Sequence, residues 1–178
     1  MWFIGCSTLD VLGVIRDNPP MTRSSRSPRD ETPRGRLAEA SLHDITGYQL
    51  AQAAIVTDAV FEEQVGGPLG LRRVEYTVLA LVCENPGGTP ARLARALAVT
   101  AGNITMWVDR LVDKGWVRRE TSTTDRRAQH LFATAAGQRM ASDATARIVA
   151  AEVVRLHMLT QAERAILNEL LHKLAQCR

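Results

Sequence analysis

The chain has 178 residues, of which 46% are apolar and only 4% are aromatic. This length can bury a sizeable core, and the abundance of Ala, Leu and Arg favours helices over an all-β sandwich. The formal charge of +3 is unevenly distributed, because residues 89–139 hold nine Arg and Lys against four Asp and Glu. Such a basic segment favours a polyanionic partner over the alternative, a solvated charged face.

The three cysteines argue against a metal site. Cys6, Cys83 and Cys177 form no CxxC pair and have no metal-ligand spacing with the histidines. We therefore expect no metal, no cofactor and no disulfide framework, as in a protein of the reducing cytoplasm. The sequence has no Ser/His/Asp constellation and no glycine-rich phosphate loop, so an enzyme is not expected.

Residues 1–36 are predicted to form a disordered leader. Residues 18–36 combine Pro, Ser, Arg and Gly with almost no apolar side chain, so they cannot repay the entropy lost on ordering. The apolar run before them is too short to span a bilayer and lacks a basic start, so no membrane partner is expected. One hypothesis is that translation begins at Met21 and that residues 1–20 are absent from the native protein. The alternative is a short helix that docks on the body or on a partner.

Apolar residues recur at helical spacing over 37–64, which predicts a long first helix ended by the Gly-Gly-Pro sequence at 66–68. Its apolar faces exceed what one small domain could cover, which favours packing against another chain. A second helix is predicted over 71–84, and Cys83 near its buried stripe is interpreted as a structural thiol.

Two short helices follow, each with a clear start. Thr89 and Pro90 supply a hydroxyl N-cap and a proline at the first helical position. Thr100 caps the next helix, over 101–114, whose apolar residues at i, i+4 and i+7 face inward and which Gly115 ends.

The outward residues near the start of this last helix suit DNA recognition. A recognition helix presents its N-terminal residues to base edges, where small residues permit close approach and polar ones supply hydrogen bonds. Asn103 and Thr105 are the best candidates for base contacts, with a capping or solvated role as the alternative. Trp107 is interpreted as a wedge against the body of the protein or as the wall of a ligand cavity. The candidate DNA contacts of this helix are Thr100, Ala101, Gly102, Asn103, Thr105 and Met106.

Alternating apolar and polar residues over 116–121 and 128–134 predict two antiparallel strands joined by a loop. Arg126 and Arg127 lie in this loop, and guanidinium groups there suit a narrow minor groove, where the negative potential is highest. Asp125 would cost affinity beside phosphates unless it is paired, so we expect it to hold an arginine and fix the loop's shape.

The C-terminal part is predicted to form two further helices. Thr134 caps a long one, and a capping box at 160–163 begins the last, whose leucines lie on one side. With the first helix they would form a separate layer, for which a two-fold dimer is the simplest use. The expected fold is mainly α, with a winged helix-turn-helix over 69–137, a two-stranded β wing, and a helical dimerisation region from 37–66 and 138–178.

The order of these elements, with the segments DRLVDKGWVRR and DRRAQHLFATAAGQ, resembles the MarR family of bacterial transcriptional regulators over about residues 37–176. The resemblance implies a homodimer with intertwined terminal helices, recognition helices in successive major grooves of a pseudo-palindrome, and wings in the flanking minor grooves. It also implies that Asp125 pairs with Arg110 and that Arg127 enters the minor groove. Met106 stands where many relatives have a basic or polar residue, so base preference is not transferred.

The expected function is that of a cytoplasmic, sequence-specific transcriptional regulator, a repressor that a small-molecule effector releases from double-stranded DNA. Some relatives bind phenolic or aromatic carboxylate compounds between the dimer layer and the wing domain. By position, Tyr48, Trp107 and His157 are candidates for such a pocket, with plain packing as the alternative. Other relatives sense oxidants through a cysteine near the start of the first helix. Redox sensing is disfavoured here because no cysteine occurs over 37–82. The alternative function is a winged-helix protein-interaction module without specific DNA binding, against which the retained Asp-Arg-Arg sequence of the loop argues.

Overall fold

The computed structural model describes residues 31–121 and 129–177. The chain divides into two compact units between Gln49 and Leu50. The described residues are mainly helical and contain one two-stranded antiparallel sheet, which confirms the predicted fold class. The elements are α1 (Thr46–Phe61), α2 (Gly67–Leu69), α3 (Arg73–Glu84), α4 (Pro90–Leu97), α5 (Ala101–Asp113), β1 (Val117–Thr121), β2 (Gln129–Ala133), α6 (Ala135–Arg155) and α7 (Gln161–Ala175).

The described part of the first unit is mostly irregular, so the prediction of a helix beginning at residue 37 is wrong. Glu31 and Ala38 form an isolated antiparallel bridge, and a short 3-10 turn follows at Ala40–Leu42. Between them the chain reverses through Arg36, whose φ of 50° is left-handed. The 3-10 turn and a further turn at His43 and Asp44 occupy the stretch before Thr46, so its apolar residues do not extend the helix.

The predicted stop at 66–68 is also displaced. The backbone continues from α1 through a π-helical segment, Glu62–Gly66, into α2. Pro68 lies in the first turn of α2, where its missing N–H is not needed. The helical path ends instead at Gly70, whose φ of 57° is left-handed and favours glycine.

Threonine caps fix the starts of four helices, as predicted. The hydroxyls of Thr89, Thr100, Thr134 and Thr160 accept hydrogen bonds from backbone N–H groups in the first turns of α4, α5, α6 and α7. The turn between α4 and α5 begins at Ala98, whose φ is 52°. Each cap satisfies a donor that the helix itself leaves unpaired.

The sheet is the predicted hairpin, with Val117 opposite Ala133 and Thr121 opposite Gln129. Leu131 in β2 also forms a bridge with Gly88, just before α4: its N–H donates to the Gly88 carbonyl and its carbonyl accepts from the Gly87 N–H, each at 2.9 Å. This isolated bridge joins the hairpin to the helices and was not predicted from the sequence.

One hydrophobic core holds the second unit together. It draws side chains from the end of α1, from α3, α4, α5, both strands and the first half of α6. Phe61 and Val65 enter it from before α3, and Ala141 and Ala144 enter it from α6. The fully buried residues include Val65, Leu71, Val78, Leu79, Ile104, Val108, Leu111 and Leu131.

The distal half of α6 and the whole of α7 contribute little to this core. No described residue of α7 is buried, although Ile166, Leu167, Leu170 and Leu171 are apolar. Within residues 31–121 and 129–177, none of the helices combines the length and apolarity that crossing a membrane demands.

Candidate nucleic-acid interface

The first turn of α5 projects from the second unit as a polar and small-residue surface. Ile104, Val108 and Leu111 on the opposite face are fully buried and fix the helix by its apolar side. The residues of this helix and its cap that were predicted to contact DNA are all exposed: Thr100, Ala101, Gly102, Asn103, Thr105 and Met106. The helix therefore presents to solvent the surface that the sequence assigned to DNA.

The two candidate base-contacting side chains differ in their freedom. The Thr105 hydroxyl donates to the Ala101 carbonyl at 3.0 Å, which leaves its oxygen as an acceptor. Asn103 uses its backbone N–H for the cap on Thr100. Among the described residues nothing engages the Asn103 side-chain amide, so its donor and acceptor both remain available.

Asp125, Arg126 and Arg127 lie outside the described residues, so the structure does not test the predicted loop contacts. The strands that carry this loop are described. Arg118 on β1 is exposed and stacks on the Phe132 ring, with the guanidinium carbon 4.6 Å from the ring centre. Arg118 also forms an ion pair with Glu120 on the same strand.

A buried carboxylate holds the C-terminal end of α5 against α3. Glu75 is only 3% exposed. Arg110 donates to it at 3.2 Å, and the Lys114 ammonium lies 3.5 Å from its second oxygen. The backbone N–H of Arg72 donates to it at 3.3 Å, and Lys114 also donates to the Gly70 carbonyl at 3.0 Å. Arg110, predicted to brace the loop through Asp125, is thus bound to Glu75 in this structure.

These contacts set the ionisation of Glu75. Burial raises the pKa of this carboxyl, but the Arg72 N–H, the Arg110 guanidinium and the Lys114 ammonium together outweigh it, so the pKa lies below its ordinary value. The carboxylate is therefore ionised at neutral pH, and both cations remain held.

A second ion pair joins α5 to the wing. Arg119 on β1 donates to Asp109 on α5 at 2.5 Å. Arg119 is only partly exposed, and its Nε is buried without a hydrogen-bond partner among the described residues. Together with the Glu75 contacts, this pair ties the recognition helix to the body on one side and to the wing on the other.

Sequence analysis missed Glu75, Lys114 and the Asp109–Arg119 pair. A signal for Glu75 was present, since it follows Leu71 by four residues and precedes Leu79 by four, which places an acid on the buried face of α3. It also omitted the exposed Arg92 and Arg95 of α4. The first helix of a helix-turn-helix crosses the DNA backbone, so basic residues there are candidates for phosphate contacts.

The three candidate effector residues have different surroundings. The Tyr48 hydroxyl donates to the buried Glu39. Trp107 is partly buried and packs against the core of the second unit. His157 is exposed after α6, with its Nδ1 3.2 Å from the Val154 carbonyl.

A groove of about 670 Å³ lies between α3 and α6. Small side chains such as Ala80, Ala141 and Ala146 line it, together with Cys83 and Glu84. Burial, followed by the charge of Glu84, raises the pKa of the Cys83 thiol.

In the described part of the chain no group of His, Cys, Asp and Glu side chains is arranged to hold a metal ion.

Two helices joined by a short turn, the second exposed at its N-terminal end and followed by an antiparallel hairpin, define a winged helix-turn-helix protein. The family model described as "MarR family" matches residues 69–128. The HTH-type regulator YpoP of Bacillus subtilis is 33% identical over 108 residues, which cover 61% of this chain and 77% of YpoP. The HTH-type transcriptional repressor Rv2887 of Mycobacterium tuberculosis is 33% identical over 107 residues, covering 60% of this chain and 77% of that one. The chain belongs to the MarR family.

Solved structures agree with this assignment. The transcriptional repressor CouR bound to a 23-mer DNA duplex has a TM-score of 0.71 and 26% identity, covering 78% of this chain and 98% of its own. CouR from Rhodococcus jostii RHA1 bound to p-coumaroyl-CoA has a TM-score of 0.65 and 28% identity, covering 74% and 92%. The family and the fold are those of transcriptional regulators and not of enzymes.

Proposed function

We propose that this protein is a sequence-specific transcriptional repressor that binds a pseudo-palindromic operator as a homodimer and is released by a small-molecule effector. The observation that carries the proposal is the exposed first turn of α5. It offers the unengaged Asn103 amide, the Thr105 oxygen and the small residues Ala101 and Gly102 on a helix whose other face is buried. This is the composition with which a recognition helix approaches base edges in a major groove.

The ion pairs around α5 support precise placement. Base contacts discriminate only if the helix is held within a fraction of an ångström, which requires supporting contacts behind it. Glu75 holds the C-terminal end of α5 and Asp109 joins it to the wing, so both lie away from the proposed DNA-facing turn. They position the helix and leave its reading surface free.

Basic residues around this turn supply the affinity for phosphates. Arg92 and Arg95 on α4 are exposed. Arg126 and Arg127 lie in the loop between β1 and β2, where we propose that they enter the flanking minor groove and that Asp125 fixes their orientation. Arg127 on the loop should therefore contribute strongly to affinity and weakly to sequence preference.

Apolar surface on α6 and α7 supports the homodimer. Val153, Val154, Met158, Ile166 and Leu170 are each about half exposed or more, and apolar side chains left in water favour burial against a partner. Covering this surface with a second copy would set two α5 helices at a fixed separation, as a two-fold operator requires. A repressor of this kind works at the bacterial chromosome, and we therefore assign it to the cytoplasm.

The effector is proposed to be an aromatic or phenolic compound. CouR, a structural relative, is seen both with p-coumaroyl-CoA and with DNA. Such a ligand would bind better to a conformation in which the recognition helices do not fit the operator, and it would therefore weaken DNA binding. By thermodynamic linkage, bound DNA must lower the affinity for the ligand by the same factor. Within the second unit the candidate contacts remain Trp107 and His157, whereas Tyr48 belongs to the first unit.

Fluorescence anisotropy tests DNA recognition directly. Duplexes that tile the promoter of the protein's own gene are compared with scrambled duplexes over a range of salt concentrations. We expect one segment to bind at least about a thousandfold more tightly than scrambled DNA, with an affinity that falls as salt rises. Equal binding to all duplexes would instead favour a winged-helix interaction module.

Two variants assign roles within the surface. Asn103→Ala should weaken operator binding by about 5- to 150-fold and leave scrambled DNA unaffected, whereas Arg127→Ala should weaken both and reduce the salt slope by about one. Asp113→Ala, at the other end of α5, is the control for Asn103→Ala. Arg147→Ala, on α6, is the control for the loss of one positive charge in Arg127→Ala. If the controls lose as much affinity as the variants, the proposed surface is wrong.

The effector proposal has its own measurement. Aromatic and phenolic compounds are added to the preformed operator complex, and each compound that releases DNA is titrated against free and DNA-bound protein by calorimetry. The two affinity ratios must agree. Absence of release by every compound of this class would contradict the effector assignment without affecting the DNA-binding result.

A further inference from the structure

A groove between α6 and α7 carries two charges that have no ion-pair partner among residues 31–121 and 129–177. It has a volume of about 310 Å³, and Val149, Val153, Leu156 and Leu167 supply apolar walls. Glu152 from α6 and Arg164 from α7 also line it. Neither charge forms an ion pair within 4 Å with any residue that the structure describes, although they share one groove.

One buried donor in this groove lacks a partner within the described part of the chain. Nε of Arg164 is buried and has no hydrogen-bond partner among the described residues. Glu152 is likewise only partly exposed. A buried donor without a partner, such as this Nε, loses its hydration and receives nothing in return. In the functional protein, therefore, something should complete this groove.

Neighbouring charges on the same helices are already satisfied. Arg155 pairs with Glu63 at 2.5 Å. Glu169 pairs with Lys173, four residues along α7, at 2.6 Å. Glu163 accepts from the backbone N–H and the hydroxyl of Thr160 in the capping box of α7. Glu152 and Arg164 thus differ from these neighbours, each of which is engaged within its own chain.

We propose that a second copy of the chain fills this groove, and that Glu152 and Arg164 pair reciprocally between the two copies. This inference rests on the homodimer of the proposed function and names contacts that determine its register. In a two-fold interface, a contact from residue i to residue j of the other copy is repeated from j to i. One acid and one base in the same groove therefore make two equivalent ion pairs with no charge left over.

Charge balance and the surrounding surface favour a second copy over a small ligand. An apolar carboxylate could neutralise Arg164 but would bring a second negative charge close to Glu152. A second copy supplies both signs, and its exposed apolar residues also cover Val149, Val153 and Leu167, which are 55%, 49% and 39% exposed. Polar pairs inside an apolar interface restrict its register, since shifted arrangements leave the charges unpaired.

Charge reversal tests the pairing. In a Glu152→Arg homodimer, the introduced guanidinium would face Arg164 twice, and in an Arg164→Glu homodimer, two acids would face each other twice. The E152R and R164E homodimers should each dissociate at least about tenfold more readily than the wild type, because a buried pair becomes a repulsion. When the two variants are mixed, both contacts in the heterodimer join opposite charges, because the two introduced side chains face each other and the retained Arg164 of one chain faces the retained Glu152 of the other. The repulsion of the homodimers is therefore relieved.

Native mass spectrometry of an isotope-labelled E152R chain mixed with unlabelled R164E measures this directly. We expect heterodimers to exceed the statistical mixture, in which homodimers and heterodimers are equally abundant. The doubly reversed E152R/R164E chain should again form a wild-type-like homodimer, and its circular dichroism shows that reversal permits folding. The matched control is the in-chain pair, for which a mixture of E169R and K173E should stay statistical.

The outcomes separate this inference from the homodimer itself. A dimeric wild type whose variants mix statistically, while the double variant regains stability, would show that the pair forms within one chain and would overturn the inference. Variants that dimerise as tightly as the wild type would also overturn it and would favour a ligand in the groove. A wild type that stays monomeric at micromolar concentration would overturn the homodimer as well.

Discussion

Replacing Glu75 with glutamine removes the charge that anchors the C-terminal end of α5 while keeping the side chain's shape. The carboxylate is 3% exposed and accepts from Arg110, Lys114 and the Arg72 backbone. An amide in its place cannot pair with both cations and turns an NH₂ group towards one of them. We expect the fold to persist with a weakened junction between α3 and α5.

The size of the effect follows from these contacts. A hydrogen bond to a charged group contributes about 1.5–3 kcal/mol to stability. The three bonds do not add fully, because Arg110 and Lys114 are 38% and 34% exposed and can regain water when released. We therefore expect Glu75→Gln to lower the free energy of unfolding by about 2 kcal/mol, which corresponds to a fall in Tm of roughly 4–8 °C for a chain of this size.

Thermal unfolding followed by circular dichroism measures this difference, and its pH dependence identifies the cause. The pKa of Glu75 is held below its ordinary value of 4.5, so the carboxylate's contribution is present above that pH and is lost as pH falls through the folded-state pKa. Glutamine does not titrate. The gap in Tm between wild type and variant should thus be constant from neutral pH down to about 5 and shrink at lower pH.

The matched control is Glu84→Gln, which neutralises an exposed acid on the same helix. It should leave Tm nearly unchanged, since surface charges contribute little. The reasoning about Glu75 would be refuted by a Tm within about one degree of wild type at neutral pH. A gap that persists unchanged in acid would show that packing, and not charge, causes the loss.

Two further outcomes follow from close contacts and thiol burial. Gly137→Ala would drive a methyl group into the Trp116 carbonyl oxygen, so we expect chemical denaturation to show a free energy of unfolding lower by about 1–3 kcal/mol. The control Gly47→Ala, where a methyl group would meet nothing within 4 Å, should not lower it. Equal effects of the two substitutions would contradict the close approach at Gly137. Cys83 should react with iodoacetamide at neutral pH more slowly than the exposed Cys177, because the pKa of the Cys83 thiol is raised. Peptide mapping measures both rates, and equal rates would show that the Cys83 thiol is not protected.

Local sequence signals predicted most of the second unit. Threonine at a helix start, apolar residues at a spacing of three or four and a strand alternation each depend on near neighbours, so α3 to α7 and both strands could be inferred. The failure before Thr46 has the same origin. Leu42 and Ile45 fit a helical pattern, but the chain forms a 3-10 turn at Ala40–Leu42 and begins α1 only at Thr46, and no local rule for a helix start indicated this.

Contacts between distant segments could not be inferred in this way. The bridge between Gly88 and Leu131 joins residues far apart in the chain, as does the contact from Glu75 to Arg110. Family resemblance assigned Arg110 to Asp125, which lies outside the described residues and leaves that pairing untested, and it did not indicate the contact of Arg110 with Glu75. An arginine has five donors, so its residue type alone does not determine which acid it holds.

Hydrogen bonds at Trp116 couple the base of the wing to the first turn of α6. The Trp116 carbonyl accepts from the Thr134 backbone N–H at 2.9 Å, and the Thr134 hydroxyl donates to the Gly115 carbonyl at 2.7 Å. The base of the wing is therefore fastened to the first turn of a helix of 21 residues, about 30 Å long at 1.5 Å per residue. A tilt of only about five degrees about the distal end of that helix would carry the base of the wing roughly 3 Å, close to half the width of a minor groove.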